Sequence, residues 1–171
     1  MVTTVRRAHA SDARGIATVQ VKTWQYAYRG IVSQAYLDDM SVDAREERWV
    51  SNLADPAAVS FVLEEAGEIR GWVSVGKSRD EDAHPRVAEI WAFYILPWYW
   101  GRGYAQLLWE EGHRYLLEGG YEEVTLLVLE RNLRGRHFYE KLGFDWENGW
   151  VKTFDIGGTP LEEMRYRRRL P

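Results

Sequence analysis

The run from Ala88 to Leu117 constrains this chain most, because it joins a strand pattern, a glycine turn and an amphipathic helix without interruption. Alternation through Ala88-Glu89-Ile90-Trp91-Ala92-Phe93-Tyr94-Ile95 predicts a strand, and Pro97 ends it by removing a backbone donor. The turn Trp100-Gly101-Arg102-Gly103-Tyr104-Ala105 opens a helix whose Tyr104, Leu107, Leu108, Tyr115 and Leu116 fall near one face. A glycine turn at a helix start gathers free N–H groups beside the positive end of the helix dipole. Such a spot suits a phosphate or a pyrophosphate.

Two phosphate-loop patterns fail on these residues. A P-loop requires G-x-x-x-x-G-K-[ST], and neither that spacing nor its lysine is present; a dinucleotide fingerprint, G-x-G-x-x-G, would need glycine where Gln106 stands. The turn instead resembles the acyl-CoA pyrophosphate loop of the GNAT superfamily of N-acetyltransferases, [QR]-x-x-G-x-[GA], with Gly103 and Ala105 at its last two named positions. Trp100 stands where the pattern has Gln or Arg. That removes a polar side chain but leaves the backbone amides of Arg102 to Gln106 as phosphate ligands. Taken alone, the loop has a plain glycine-rich strand-to-helix turn as its lesser alternative.

Further on, Asn132-Leu133-Arg134-Gly135-Arg136-His137-Phe138-Tyr139-Glu140-Lys141-Leu142-Gly143-Phe144 resembles the second GNAT signature, N-x-x-[AS]-x-x-[FL]-Y-x-K-x-G-F, and departs from it at Gly135, a poor helix former. Without the family, the same residues describe a short helix with Asn132 as its N-cap, Phe138 and Leu142 as a core stripe and Gly143 as its stop. That leaves the hydroxyl of Tyr139, on the apolar face, needing a partner or a chemical task. The two signatures stand in family order, and the resemblance extends over most of residues 1 to 170.

Periodicity elsewhere predicts a first strand, Thr3 to Ala8, then a helix capped by Ser11 or Asp12, striped by Ile16, Val19, Trp24 and Ala27 and closed at Gly30. Helical regions follow at Ser33 to Met40 and Val42 to Leu53, then a hairpin of Val59 to Glu64 with Ile69 to Val75, and a polar loop to Arg86. Val124 to Leu129 reads as a strand buried on both faces, and Trp146 to Phe154 with Leu161 to Leu170 as closing antiparallel strands. The order predicts one domain over residues 1–171, which the resemblance implies is N-acetyltransferase-like. Its class is α+β, with a mixed, mostly antiparallel six- or seven-stranded sheet flanked by helices in the GNAT manner.

Composition removes several function classes. With no cysteine there is no thiolate nucleophile, and His9, His84, His113 and His137 have no metal-ligand spacing, so no metal is expected. A net charge of -4 argues against nucleic acid or an anionic membrane as partner, with the run Arg165 to Arg169 read as a solvated strand end. No apolar run approaches the roughly eighteen residues of a membrane span. Arg6-Arg7 is not followed by an apolar export core, and the expected location is cytoplasmic.

The resemblance implies acetyl-CoA as co-substrate and an amine, either a small molecule or a peptide N-terminus, as acceptor. It implies that backbone groups of Phe93, Tyr94 and Ile95 pair with the pantetheine arm, that Gly101, Arg102, Gly103, Tyr104, Ala105 and Gln106 hold the pyrophosphate, and that Tyr139 protonates the departing thiolate. Asn132 stands near the cofactor in that scheme, or serves only as a cap. Glu89 is the best-placed carboxylate for a general base, or else an outward strand charge. Trp24, Tyr28 and Trp91 are candidates for an aromatic acceptor wall, against the alternative of core packing. A non-catalytic CoA-binding sensor of the same fold remains the second reading, and dimerisation and acceptor identity are left open.

Overall fold

A computed structural model describes residues 2–171. The chain runs β1 (Thr3–Arg7), α1 (Ala13–Ala27), α2 (Gln34–Asp39), α3 (Val42–Ala54), β2 (Ala58–Glu65), β3 (Glu68–Lys77), β4 (Val87–Ile95), α4 (Tyr104–Glu118), β5 (Glu123–Leu129), α5 (Leu133–Lys141), β6 (Asp145–Ile156) and β7 (Thr159–Arg169). The strands form one seven-stranded sheet in the order β1-β2-β3-β4-β5-β7-β6. Only β4 and β5 run parallel, because the α4 crossover between them returns the chain to the same end of the sheet.

Local chemistry sets the helix ends. Ser33 and Ser41 cap α2 and α3 by accepting from Tyr36 N and Ala44 N, each at 3.2 Å, and Asn132 caps α5 by accepting from Gly135 N at 3.0 Å. A Cβ on Gly135 would lie 2.6 Å from the Asn132 amide nitrogen, so this departure from the signature makes room for the cap itself. Helix α1 stops at Ala27, earlier than Gly30 suggests. On α4 the buried face is Leu108, Trp109, Gly112 and Leu116, while Leu107 is exposed.

The two sheet faces carry separate cores. Helices α4 and α5 cover one face through Leu108, Trp109, Leu116 and Leu142, and α1 and α3 cover the other through Ile16, Val19 and Trp49. Strand β4 serves both, because its register against β3 slips by one residue between Ile90 and Ala92. Ala88 and Ile90 therefore pack with the α4 side, Ala92 and Tyr94 with the α1 side, and Trp91 is the extra residue of the bulge. Simple alternation along β4 does not anticipate that inversion.

The arginine run at the C-terminal end is not the solvated face its sequence suggests. Arg165 is buried and bonds Glu147 at 2.6 Å and Asp80 at 3.1 Å, with its guanidinium over the Trp150 ring. Arg167 bonds Glu123 at 2.9 Å and Glu147 at 3.2 Å. These side chains tie β7 to β6, to β5 and to the loop before β4, which explains why cations recur on an internal strand.

Trp72 anchors the α1 side: it is fully buried, donates from Nε1 to Ile16 O at 3.1 Å, and packs edge-on against Trp49 and Tyr94. Trp72→Ala should cost about 3–5 kcal/mol. Urea denaturation checks this, and a loss below about 1 kcal/mol would mean that the indole is not a keystone of this core.

Candidate active site

Pairing between β4 and β5 ends at Ile90 and Leu126, although β4 continues to Ile95 and β5 to Leu129. Beyond that point β5 bonds only to β7, and a cleft of about 1080 Å³ opens along the unpaired edge. Leu96 N donates to Arg70 O across from β4, whereas the Ile95 carbonyl turns the other way and accepts from Trp100 Nε1 at 2.8 Å. Backbone groups alternate along a strand, so Phe93 shares the orientation of Ile95, and Tyr94 shares that of Leu96. Phe93 thus presents its main-chain groups, and Ile95 its N–H, to the opening, while Tyr94 offers it a phenol.

The glycine turn closes one side of the cleft. Gly101 and Gly103 have φ of +77° and +80°, a region that side chains with a Cβ rarely adopt, and nothing lies within 4 Å of a Cβ built on either. No side chain caps α4, so the N–H groups of its first turn, from Tyr104 to Gln106, point outward unmet. The Arg102 guanidinium lies 4.8 Å from the centre of the Tyr99 ring, and the Tyr104 hydroxyl bonds Glu65. Trp100 fills the place of a polar residue in the signature, yet Arg134 stacks on its ring at 4.3 Å. A cation is thereby restored beside the turn from α5. An open glycine lip, uncapped amides and two arginines fit a pyrophosphate.

Three phenols converge further in. Tyr139 comes from α5, Tyr94 from β4 and Tyr28 from the end of α1, and all three line the cleft. Burial raises each above the ordinary phenol range, and Tyr94 raises Tyr28 and Tyr139 further. All three are therefore neutral donors at pH 7. Trp24 packs edge-on against Tyr28 at 4.8 Å. Asn132 reaches the cleft wall while spending its carbonyl on the α5 cap.

Glu89 is neither an outward charge nor a free base. It is buried, accepts from Arg79 N at 2.9 Å and bonds the Arg79 guanidinium at 2.6 Å, and that guanidinium covers the Trp91 ring. Trp91 in turn donates to Lys77 O at 3.1 Å, so this corner fastens the loop before β4. Among the described residues, the cleft carboxylate left without a partner is Glu163 on β7, half-buried in the wall. Sequence reasoning missed it because it stands among alternating charges on a closing strand, and only the sheet order brings it opposite Tyr28.

The model of the Acetyltransferase (GNAT) family matches residues 20–144. The chain belongs to the GNAT acetyltransferase family. An uncharacterized N-acetyltransferase of Bacillus subtilis, YuaI, is 29% identical over 161 residues, covering 94% of this chain and 90% of that protein. An uncharacterized N-acetyltransferase of Mycobacterium tuberculosis is 30% identical over 149 residues, covering 86% of this chain and 90% of its own length. The fold also matches PaiA N-acetyltransferase of Thermoplasma acidophilum, solved in complex with coenzyme A, with TM-score 0.76 at 19% identity and 99% of both chains covered. Among the described residues, no helix is long and apolar enough to cross a membrane. As a GNAT protein the chain is an acyl-CoA-dependent N-acetyltransferase with an amine acceptor.

The Arg79 contacts give Glu89 a structural role. Glu89→Gln should cost about 1.5–3 kcal/mol of stability, the worth of a charge-assisted hydrogen bond, and leave the shape of the kcat/KM pH profile unchanged. A folded variant of normal stability that loses the acid limb of that profile would return Glu89 to the chemistry.

Proposed function

We propose that residues 1–171 act as one domain that takes an acetyl group from acetyl-CoA and passes it directly to an amine held beside it. The observation that carries this reading is the parting of β4 from β5 beyond Ile90, with the glycine turn at one side of the opening and neutral phenols within it. Acetyl-CoA, when bound, supplies an activated thioester carbonyl. The main-chain groups of Phe93 and the N–H of Ile95, whose carbonyl is held by Trp100, are positioned to pair with its pantetheine arm, as a free strand edge does. The amides of Tyr104, Ala105 and Gln106, with Gly101 and Gly103 keeping the approach open, would take the pyrophosphate, and Arg102 and Arg134 would add charge. The side chain of Asn132 shapes the wall through the α5 cap rather than through a ligand bond.

Tyr139 is the proton donor in this reading. Its phenol is kept protonated by burial and makes no hydrogen bond among the described residues, so its hydrogen is available to a sulfur in the cleft. With no cysteine in the chain, a thiol acyl-enzyme is excluded, which favours one transfer within a ternary complex. The acceptor would lie against Trp24 and Tyr28, on the side of the cleft away from the turn. Trp91 would support it through Arg79 rather than touch it. The sensor reading rests on Trp100, and the Arg134 cation stacked there weakens it.

Tyr139→Phe keeps the ring that packs on Phe93 and Phe144 and removes one hydroxyl. CoA affinity by calorimetry should be unchanged, and kcat should fall roughly 100- to 10,000-fold, the span of general acid catalysis. Full activity would make the hydroxyl a bystander, and lost CoA affinity would make it a binding group.

A further inference from the structure

Glu163 is the one cleft carboxylate that neither the fold nor the proton donor uses. It sits on β7 in register with Leu129 of β5 and Lys152 of β6. Leu161, two residues earlier on the same face, packs with Tyr28, Trp24 and Phe154. Among the described residues its side chain makes no hydrogen bond and no ion pair, whereas Glu89 beside it is held by Arg79. A half-buried, unpartnered carboxylate against an aromatic wall matches an alkylammonium group: the rings take the carbon chain and the carboxylate takes the charge.

We infer that Glu163 recognises the acceptor as its ammonium ion and accepts its proton, which makes the natural acceptors of this enzyme cationic primary amines. This rests on the transfer reading above. The groups facing Glu163 are Lys152 from β6, Arg79 from the loop before β4, Glu89 and Tyr94 from β4 and Tyr28 from α1. Burial is the largest influence and raises its carboxyl above the ordinary range; Glu89 raises it further, while Lys152 and Arg79 pull it down. A base so raised is better matched to an ammonium than an exposed carboxylate is.

The protons balance. One N–H proton of the ammonium passes to the Glu163 carboxylate and leaves the nitrogen with its lone pair. That nitrogen forms the C–N bond while the thioester C–S bond breaks. The sulfur takes the phenolic proton of Tyr139, and a second N–H proton restores the phenol. The third stays on the amide, and Glu163 returns its proton to water.

Glu163→Gln keeps the shape of the side chain and removes its charge. Calorimetry with CoA comes first: wild type and variant should bind it alike, and a wild type that does not bind CoA fails the transfer reading itself. Thiol release from acetyl-CoA is then measured at neutral pH with benzylamine, which is an ammonium ion there, and with O-benzylhydroxylamine, which is uncharged. The variant should lose roughly 100-fold in kcat/KM for benzylamine, as expected of a lost general base, and keep near-normal activity on O-benzylhydroxylamine. Benzylamine binding to the CoA-loaded variant should weaken in parallel. Equal loss on both acceptors, loss on neither, or a CoA-binding wild type that neither binds nor acetylates benzylamine overturns the inference and leaves the cofactor site standing.

Discussion

The end of β4–β5 pairing at Ile90 and Leu126 is the constraint on which the rest depends. Parallel strands normally stay bonded along their shared length, because unpaired main-chain groups are costly to bury. Here a bulge at Trp91 twists β4 away just where the pairing stops. The opened edge keeps its access to solvent and to ligands. Strand β5 does not fray in response, since β7 pairs with it along its whole length.

That opening lets two separate cores meet at one place. Tyr139 belongs to the core under α4 and α5, whereas Tyr94 and Tyr28 belong to the packing on the α1 side, and each reaches the cleft from its own side. The cofactor half is mostly backbone: glycines, uncapped amides and a free strand edge. The half to which we assign the acceptor is mostly side chain, with Trp24, Tyr28 and Glu163 lining it.

The family, the glycine turn and the position of Tyr139 were legible in the sequence because each depends on a contiguous motif: a strand, a turn and a helix in fixed order. Asn132 was legible as a cap for the same reason. Glu89 and Glu163 were not, because the use of a carboxylate depends on what lies across the sheet. Arg79, ten residues before Glu89, takes the first out of service, and the order β5-β7-β6 delivers the second to the cleft. From the sequence Trp100 reads as a lost polar contact, whereas in the fold Arg134 of α5 lies on its ring. The bulge was hidden as well, since Ala88 to Ile95 alternates well enough to be read as one regular strand.

Residue-resolved amide hydrogen exchange with and without CoA tests the opened edge most directly. The account predicts that CoA slows exchange at Phe93 and Ile95 of β4 and at Tyr104, Ala105 and Gln106 of α4, while Ala92 and Tyr94, whose amides face β3, change little. Protection absent from β4, or equal at all four of its residues, would contradict the claim that the parted strand holds the cofactor.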